Sequence, residues 1–316
     1  MQVDIGIDMG GTRIKTGLVS DGNLIATSTV PASAHETLKG RLEALASEID
    51  ALLNANRAMP KGVGIAFPGI VDPGRGKILS KYVKYPDAGK IDVDDWAMRN
   101  WGIPAALEND ARAALLGEWQ FGAGRGCEDL VLITLGTGVG SAVLLNGKML
   151  RGRTFIAGNL GGHLSINLHG RECNCGNIGC LESEASTWAL HSLLDKSPLF
   201  EASKLSKSEP VSFNTVFACA KDGDALAVEI KESCLKAWSL GILNLIRSYD
   251  PQRVIVGGGI MNSRDLVLPY VREMMKKDTW LRGNDVELVA AEQIEFAAIF
   301  GMHYMLADAR QSNNKK

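Results

Sequence analysis

One pattern occurs twice in this chain and limits its possible folds more than any other feature. Val3-Asp4-Ile5-Gly6-Ile7-Asp8 alternates apolar with small or polar residues, the period of a strand. Gly10-Gly11-Thr12 turns the chain, and Ile14 to Val19 reads as a second strand. Asp21-Gly22 is a two-residue hairpin signal, and Leu24 to Val30 starts a third strand. The design returns in Leu130 to Leu135, the turn Gly136-Thr137-Gly138, Val139 to Leu145 and the hairpin signal Asn146-Gly147. In each copy the hairpin dipeptide follows the glycine turn by about ten residues. The repeat is too long and too sparse for a solenoid. It reads as two related domains facing each other, and 316 residues suffice for roughly two domains of ~100–200 residues.

Helical spacing fills the intervals. Ser33 and Glu36 form a candidate capping box ahead of Leu38, Leu42, Leu45, Ile49, Leu52 and Leu53. A second helix starts around Ala111, and a third runs from about Asp224 to Ser248, stopped by Asp250-Pro251. A last one covers about Ile294 to Ala309. Arg253 to Val256 is a strand that ends in Gly257-Gly258-Gly259. Lys204 to Pro210 reads as a polar surface loop, and Gln311 to Lys316 as a disordered tail.

A net charge of −2 gives no electrostatic case for nucleic acid or an anionic membrane. The first residues carry no signal-peptide pattern, and no apolar run approaches the ~18 residues of a membrane span. The expected location is therefore the cytoplasm, where clustered thiols favour a metal over disulfides. His163, Cys173, Cys175 and Cys180 form such a cluster. Three thiolates and one imidazole make a structural zinc set with no open position for catalytic water, so a zinc enzyme is not expected. Cys127, Cys219 and Cys234 are scattered and read as small buried hydrophobes.

Three glycine turns follow strands: after Asp8, at Gly136 to Gly140 and at Gly257 to Gly259. Such turns expose amides that cradle phosphate, although a single one also serves as an ordinary tight turn. None is a P-loop or a dinucleotide fingerprint. Asp8 beside the first turn is suited to hold Mg²⁺ through water. Ile103 to Leu107 is a short strand running into Glu108-Asn109-Asp110 and an alanine-rich helix. Asn109 or Asp110 caps that helix, or Asp110 stands at the carboxyl end of a strand where ligands of α/β folds bind.

Asp8-x-Gly10-Gly11-Thr12, Glu108-Asn109-Asp110, Gly136-Thr137-Gly138, and Gly162-His163 followed by Cys173-x-Cys175-Gly176-x-x-Gly179-Cys180-Leu181-Glu182 together resemble the ROK family of repressors, open reading frames and sugar kinases. The resemblance covers nearly the whole chain. It implies an actin-like, ribonuclease-H-like ATPase fold of two α/β domains around a cleft. The expected division is residues 1–112, with the last helix packing back onto them, and residues 113–293 with the zinc knuckle. It implies ATP-dependent phosphorylation of a hexose, glucose first and fructose or mannose next, by a homodimer. The alternatives are an N-acetyl amino sugar kinase or a sugar-sensing regulator. For the regulator no helix-turn-helix is visible in the seven residues before Asp8.

The same resemblance implies roles. Asp110 looks like the catalytic base, expected to stay ionised near a helix N-terminus. Gly69, Asn109, Glu182 and His163 look like sugar contacts, with His163 binding zinc through its other nitrogen. Asp8, Gly10, Gly11, Thr12 and Arg13 look like the first phosphate loop, Gly136, Thr137 and Gly138 like the second, and Gly258 like a neighbour of the adenosine. One stretch departs from the pattern. Where relatives carry Gly-Glu-x-Gly-His, this chain has Ala157-Gly158-Asn159-Leu160-Gly161-Gly162-His163, so Asn159 or Leu160 stands in for a glutamate. Ser80 to Tyr85 also lacks the usual asparagine of the sugar loop.

Overall fold

A computed structural model of the chain describes residues 1–32, 37–81, 84–195, 197–208, 210–281, 283 and 285–313. The chain divides into two compact units. Unit 1 is Met1–Gly126, Arg151–Ala157 and Glu292–Lys316, and unit 2 is Cys127–Leu150 and Gly158–Ala291. A boundary at 112 would cut a helix that packs along the C-terminal one, and those contacts keep residues up to Gly126 in unit 1.

Unit 1 is built on a five-stranded sheet of β1 (Gln2–Met9), β2 (Arg13–Ser20), β3 (Asn23–Pro31), β4 (Met59–Phe67) and, after the short hairpin β5 (Val71–Asp72) and β6 (Lys77–Ile78), β7 (Ala105–Asn109). Its order is β3-β2-β1-β4-β7. The β1–β2–β3 meander is antiparallel, whereas β1, β4 and β7 run parallel. Helices α1 (Leu38–Ala55) and α2 (Val93–Trp101) supply apolar stripes to a core with Ile5, Ile7, Val63 and Phe67. The capping box expected at Ser33 and Glu36 lies outside the described residues; Thr37 caps α1, its Oγ1 accepting from the Gly40 amide at 3.1 Å.

Unit 2 repeats the plan with β8 (Leu130–Leu135), β9 (Val139–Leu145), β10 (Lys148–Met149), β11 (Arg253–Gly257) and β12 (Glu287–Ala290), in the order β10-β9-β8-β11-β12. Here too the first three strands form an antiparallel meander and the next two join it in parallel. The duplication read in the sequence is thus a duplication of topology. Both hairpin dipeptides take the left-handed backbone that a type I′ turn demands: Asp21 at φ 48° with Gly22 at 77°, and Asn146 at 50° with Gly147 at 67°.

In chain order the other helices are α3 (Asp110–Phe121) in unit 1; α4 (Leu181–Ala185), α5 (Thr187–Asp195), α6 (Phe213–Lys221), α7 (Ala225–Tyr249) and α8 (Arg264–Lys277) in unit 2; and α9 (Ala297–Asn313), back in unit 1. Asp224, near which the sequence places the helix start, caps α7 through its side chain, and Trp238 and Ile242 of this helix join the unit 2 core. Lys204–Lys207 is a 3₁₀ turn that buries Leu205, so the stretch expected as a plain surface loop contributes to the core. Of the expected tail, residues 311–313 belong to α9 and 314–316 lie outside the described residues. Among the described residues no helix is long and apolar enough to cross a membrane.

The α3–α9 contact depends on two glycines. A Cβ on Gly117 would lie 1.9 Å from the Ala297 carbonyl oxygen, and one on Gly301 would lie 1.8 Å from that of Ala113. Ala normally stabilises a helix over Gly by ~1 kcal/mol, but overpacking costs ~1–3 kcal/mol or more, and a clash with rigid backbone belongs at the upper end. Gly301→Ala is therefore expected to destabilise unit 1 by about 2 kcal/mol. An unchanged or raised urea midpoint would contradict this packing.

Candidate active site and metal centre

In unit 1 the parallel strands β1, β4 and β7 end side by side, with Asp8 opposite Ala66 and Phe67 opposite Asn109. Their carboxyl ends bring together Asp8, Gly69, Asn109 and Asp110. Asn109 ends β7 and caps α3, its Oδ1 accepting from the Arg112 amide at 3.2 Å. The same side chain aligns its neighbours: Nδ2 donates to the Gly69 carbonyl at 3.1 Å and to Asp110 Oδ1 at 2.9 Å. Asp110 Oδ1 also accepts from the Ala111 amide at 2.8 Å. The capping reading and the functional reading of this triplet are thus compatible.

Burial first, and then the charge of Asp8, push the Asp110 carboxyl up to about 7, against hydrogen bonds from Ala111 and Asn109. The carboxyl is then only partly ionised at neutral pH, which corrects the expectation that Asp110 stays ionised near the start of α3, because desolvation outweighs the helix terminus here. Burial also raises Asp8, to about 6, with Lys15 across the β1–β2 pair opposing. The first glycine turn joins β1 to β2. A Cβ on Gly10 would lie 2.6 Å from the Arg13 carbonyl oxygen, so the turn tolerates only glycine there. Lys84 Nζ ties this turn down by donating to the carbonyls of Gly11 and Ala32, each at 2.9 Å. Of the segment Ser80 to Tyr85, Tyr82 and Val83 lie outside the described residues.

Sequence reasoning missed a buried charge cluster next to this site. Glu108 is fully buried; Oε1 accepts from the Asn109 amide at 2.9 Å, and Oε2 pairs with Arg151 Nη2 at 2.5 Å. Arg112, also fully buried, donates through Nη2 to the carbonyls of Phe155 at 3.0 Å and Ala157 at 2.8 Å. The cluster binds the 151–157 segment to α3. Its one sequence signal is a lone arginine inside the alanine run that follows Asp110.

In unit 2 the turns after β8 and β11 are neighbours: a Cβ on Gly136 would lie 4.0 Å from the Gly259 amide nitrogen. Gly258 has φ 90°, and a Cβ on it would lie 2.3 Å from the Leu135 carbonyl oxygen. Glu182, in the first turn of α4, accepts from the Val139 amide through Oε2 at 2.8 Å.

The four expected metal ligands converge. The candidate ligand atoms of His163, Cys173, Cys175 and Cys180 all lie within 4.8 Å of one another. His163 Nδ1 is 3.5 Å from Cys173 Sγ, and Cys175 Sγ is 3.6 Å from Cys180 Sγ. A tetrahedron with arms of ~2.0–2.3 Å has edges of this length, so the donor set and its geometry fit zinc. Backbone bonds close the knuckle, with Cys173 N donating to Asn177 O at 2.8 Å and Ile166 N to Gly179 O at 2.8 Å. In the departing stretch, Asn159 is buried and its Oδ1 has no hydrogen-bond partner among the described residues, whereas Leu160 is 36% exposed. Of the scattered cysteines, Cys127 and Cys234 are buried as expected, but Cys219 is only partly covered.

The sequence profile of the ROK family matches residues 4–309. The chain is 34% identical over 306 residues to a glucokinase of Thermotoga maritima, spanning 94% of this chain and 95% of that one. It is 26% identical to a xylose repressor of Bacillus spizizenii, spanning 94% of this chain and 75% of the repressor. Among solved structures, a ROK family glucokinase of Streptomyces griseus in complex with glucose and AMPPNP superposes with a TM-score of 0.80 at 29% identity, covering 97% of this chain and 99% of that one.

Proposed function

The chain belongs to the ROK family, and we propose that it transfers the γ-phosphoryl group of ATP to glucose with Asp110 as the general base. It has the actin-like ATPase fold of ROK sugar kinases, and its relatives support an ATP-dependent hexose kinase. Glucose is the acceptor in this proposal because the glucokinases of Thermotoga and of Streptomyces coelicolor match nearly the full chain. The observation that carries the mechanism is the Asp110 carboxyl, held by Asn109 and Ala111 and poised near neutral pH.

Phosphoryl transfer passes through a loose transition state, so positioning and charge neutralisation supply most of the catalysis. Two hydrogen bonds occupy Asp110 Oδ1, which leaves Oδ2 to take the proton from the sugar hydroxyl as its oxygen bonds to the γ-phosphorus and ADP departs. Gly69, Asn109, Asn159, His163 and Glu182 are proposed to orient the sugar. Asp8 to Arg13 and Gly136 to Gly138 are proposed to face the phosphates, and Gly258 the adenosine. Asp8, a buried carboxyl at the end of β1, is proposed to hold Mg²⁺ through water, since hard cations take carboxylate oxygens. His163, Cys173, Cys175 and Cys180 would hold zinc, which supplies rigidity rather than chemistry.

A coupled ADP-release assay over glucose, fructose, mannose and N-acetylmannosamine tests the proposal. Glucose is expected to give the highest kcat/KM. A higher value for another sugar overturns the choice of acceptor, and no sugar-dependent ADP release overturns the kinase.

A further inference from the structure

We infer that Glu182 is a positioning residue for the second glycine loop, in addition to its proposed sugar contact. Three bonds run from the segment 182–188 into residues 136–139. Glu182 Oε2 accepts from the Val139 amide at 2.8 Å, Thr187 N donates to Gly136 O at 3.0 Å, and Trp188 N donates to Thr137 O at 3.2 Å. The last two satisfy amides in the first turn of α5, which have no partner inside their own helix. Gly136, Thr137 and Val139, the residues surrounding Gly138, are therefore all tied to this one segment.

Gly138 itself is shaped by the same carboxylate. A Cβ there would lie 2.5 Å from Glu182 Oε2, so the acid fills the space a side chain would need. The segment is rigid on its other side. Leu181 packs so closely under α7 that a Cβ on Gly241 would lie 2.3 Å from its Cδ2, and Trp238 Nε1 donates to Ala185 O at 2.7 Å. A carboxylate rooted this firmly fixes Val139 and the direction of the neighbouring loop amides. Oε2 is engaged by the Val139 amide, so in this reading Oε1 is the oxygen that serves the proposed sugar contact.

Amide hydrogen exchange in ligand-free protein tests the clamp independently of any activity. Losing a hydrogen bond to a charged acceptor is worth about tenfold or more, so Glu182→Ala is expected to speed exchange at Val139 by about that factor. Glu182→Gln keeps an acceptor oxygen and is expected to retain most of the protection. Calorimetry with a non-hydrolysable ATP analogue supplies a second arm, which rests on the kinase reading. Affinity is expected to fall about tenfold in Glu182→Ala and to be largely rescued in Glu182→Gln. Unchanged Val139 exchange in Glu182→Ala overturns the clamp, as does a loss confined to glucose with nucleotide affinity intact. Wild-type protein that binds no ATP analogue would overturn the kinase reading, while the exchange arm would still decide the clamp.

Discussion

Asp110→Asn is expected to lower kcat by about 10²–10⁴-fold, the usual contribution of a general base, while glucose affinity stays near wild type. The variant is also expected to be more stable than wild type at alkaline pH, and the two effects have one cause. In the folded chain the carboxyl is raised from 3.8 to about 7 by burial and by Asp8. The folded state therefore holds its proton more tightly than the unfolded state, and stability falls as pH rises between those two values. Above neutral pH the full penalty is present, on the order of a few kcal/mol at ~1.4 kcal/mol per unit. Asn removes the charge but retains an oxygen to accept from Asn109 Nδ2 and Ala111 N. Thermal melts at about pH 8 and about pH 4 check the sign: a stability gain is expected at the first and little difference at the second. A variant less stable than wild type at the higher pH would mean that Asp110 is not a strained carboxylate.

The second large effect is expected on removing the proposed zinc. The knuckle has little apolar support of its own: Leu168 is 89% exposed and Ile178 50%, Cys173 and Cys180 are buried, and Ile166 packs partly against the unit 2 core. Its order is therefore expected to rest largely on the ligand set, beside the backbone bonds that close it. Binding energies of structural zinc, ~10–16 kcal/mol in small zinc-dependent domains, act as folding energy. Chelation, or Cys175→Ser, is expected to abolish bound zinc, open residues 163–180 to proteases and reduce glucose affinity at least about tenfold. Metal analysis alongside limited proteolysis reads this directly. Full loss of zinc with an unchanged digestion pattern and unchanged glucose affinity would refute the coupling between knuckle and sugar site.

The elements most legible in the sequence were those fixed by local chemistry. Asp21-Gly22 and Asn146-Gly147 demand a left-handed backbone, and both hairpins form there. The cysteine spacing stood out because three thiols within eight residues have few other uses. Contacts between distant segments were not legible. Gly62 and Gly64 weaken the strand pattern of β4 in the sequence, yet a Cβ on Gly64 would lie 2.5 Å from Met302 Cβ of α9. Glycine is required by a helix more than 200 residues away. Likewise, Glu118 looks like a solvent-facing charge in α3. It is fully buried, and its oxygens accept from the amides of Ala123 at 2.8 Å, Glu292 at 3.1 Å and Gln293 at 2.6 Å. Those bonds organise the approach to α9, which begins at Ala297 rather than near Ile294. Asp110 departs from its expected ionisation for the same reason: the helix start beside it is local, but the burial and the Asp8 charge that dominate it arise from strands brought together by the fold.

The role of Asp110 as base is tested most directly by the pH dependence of kcat/KM for glucose from about pH 5 to about pH 9. A rising limb for loss of one proton is predicted, with its midpoint in the neutral range where the carboxyl titrates, and this limb should vanish from the residual activity of Asp110→Asn. A wild-type profile that is flat across neutrality, or a variant that keeps the same limb, would contradict the assignment.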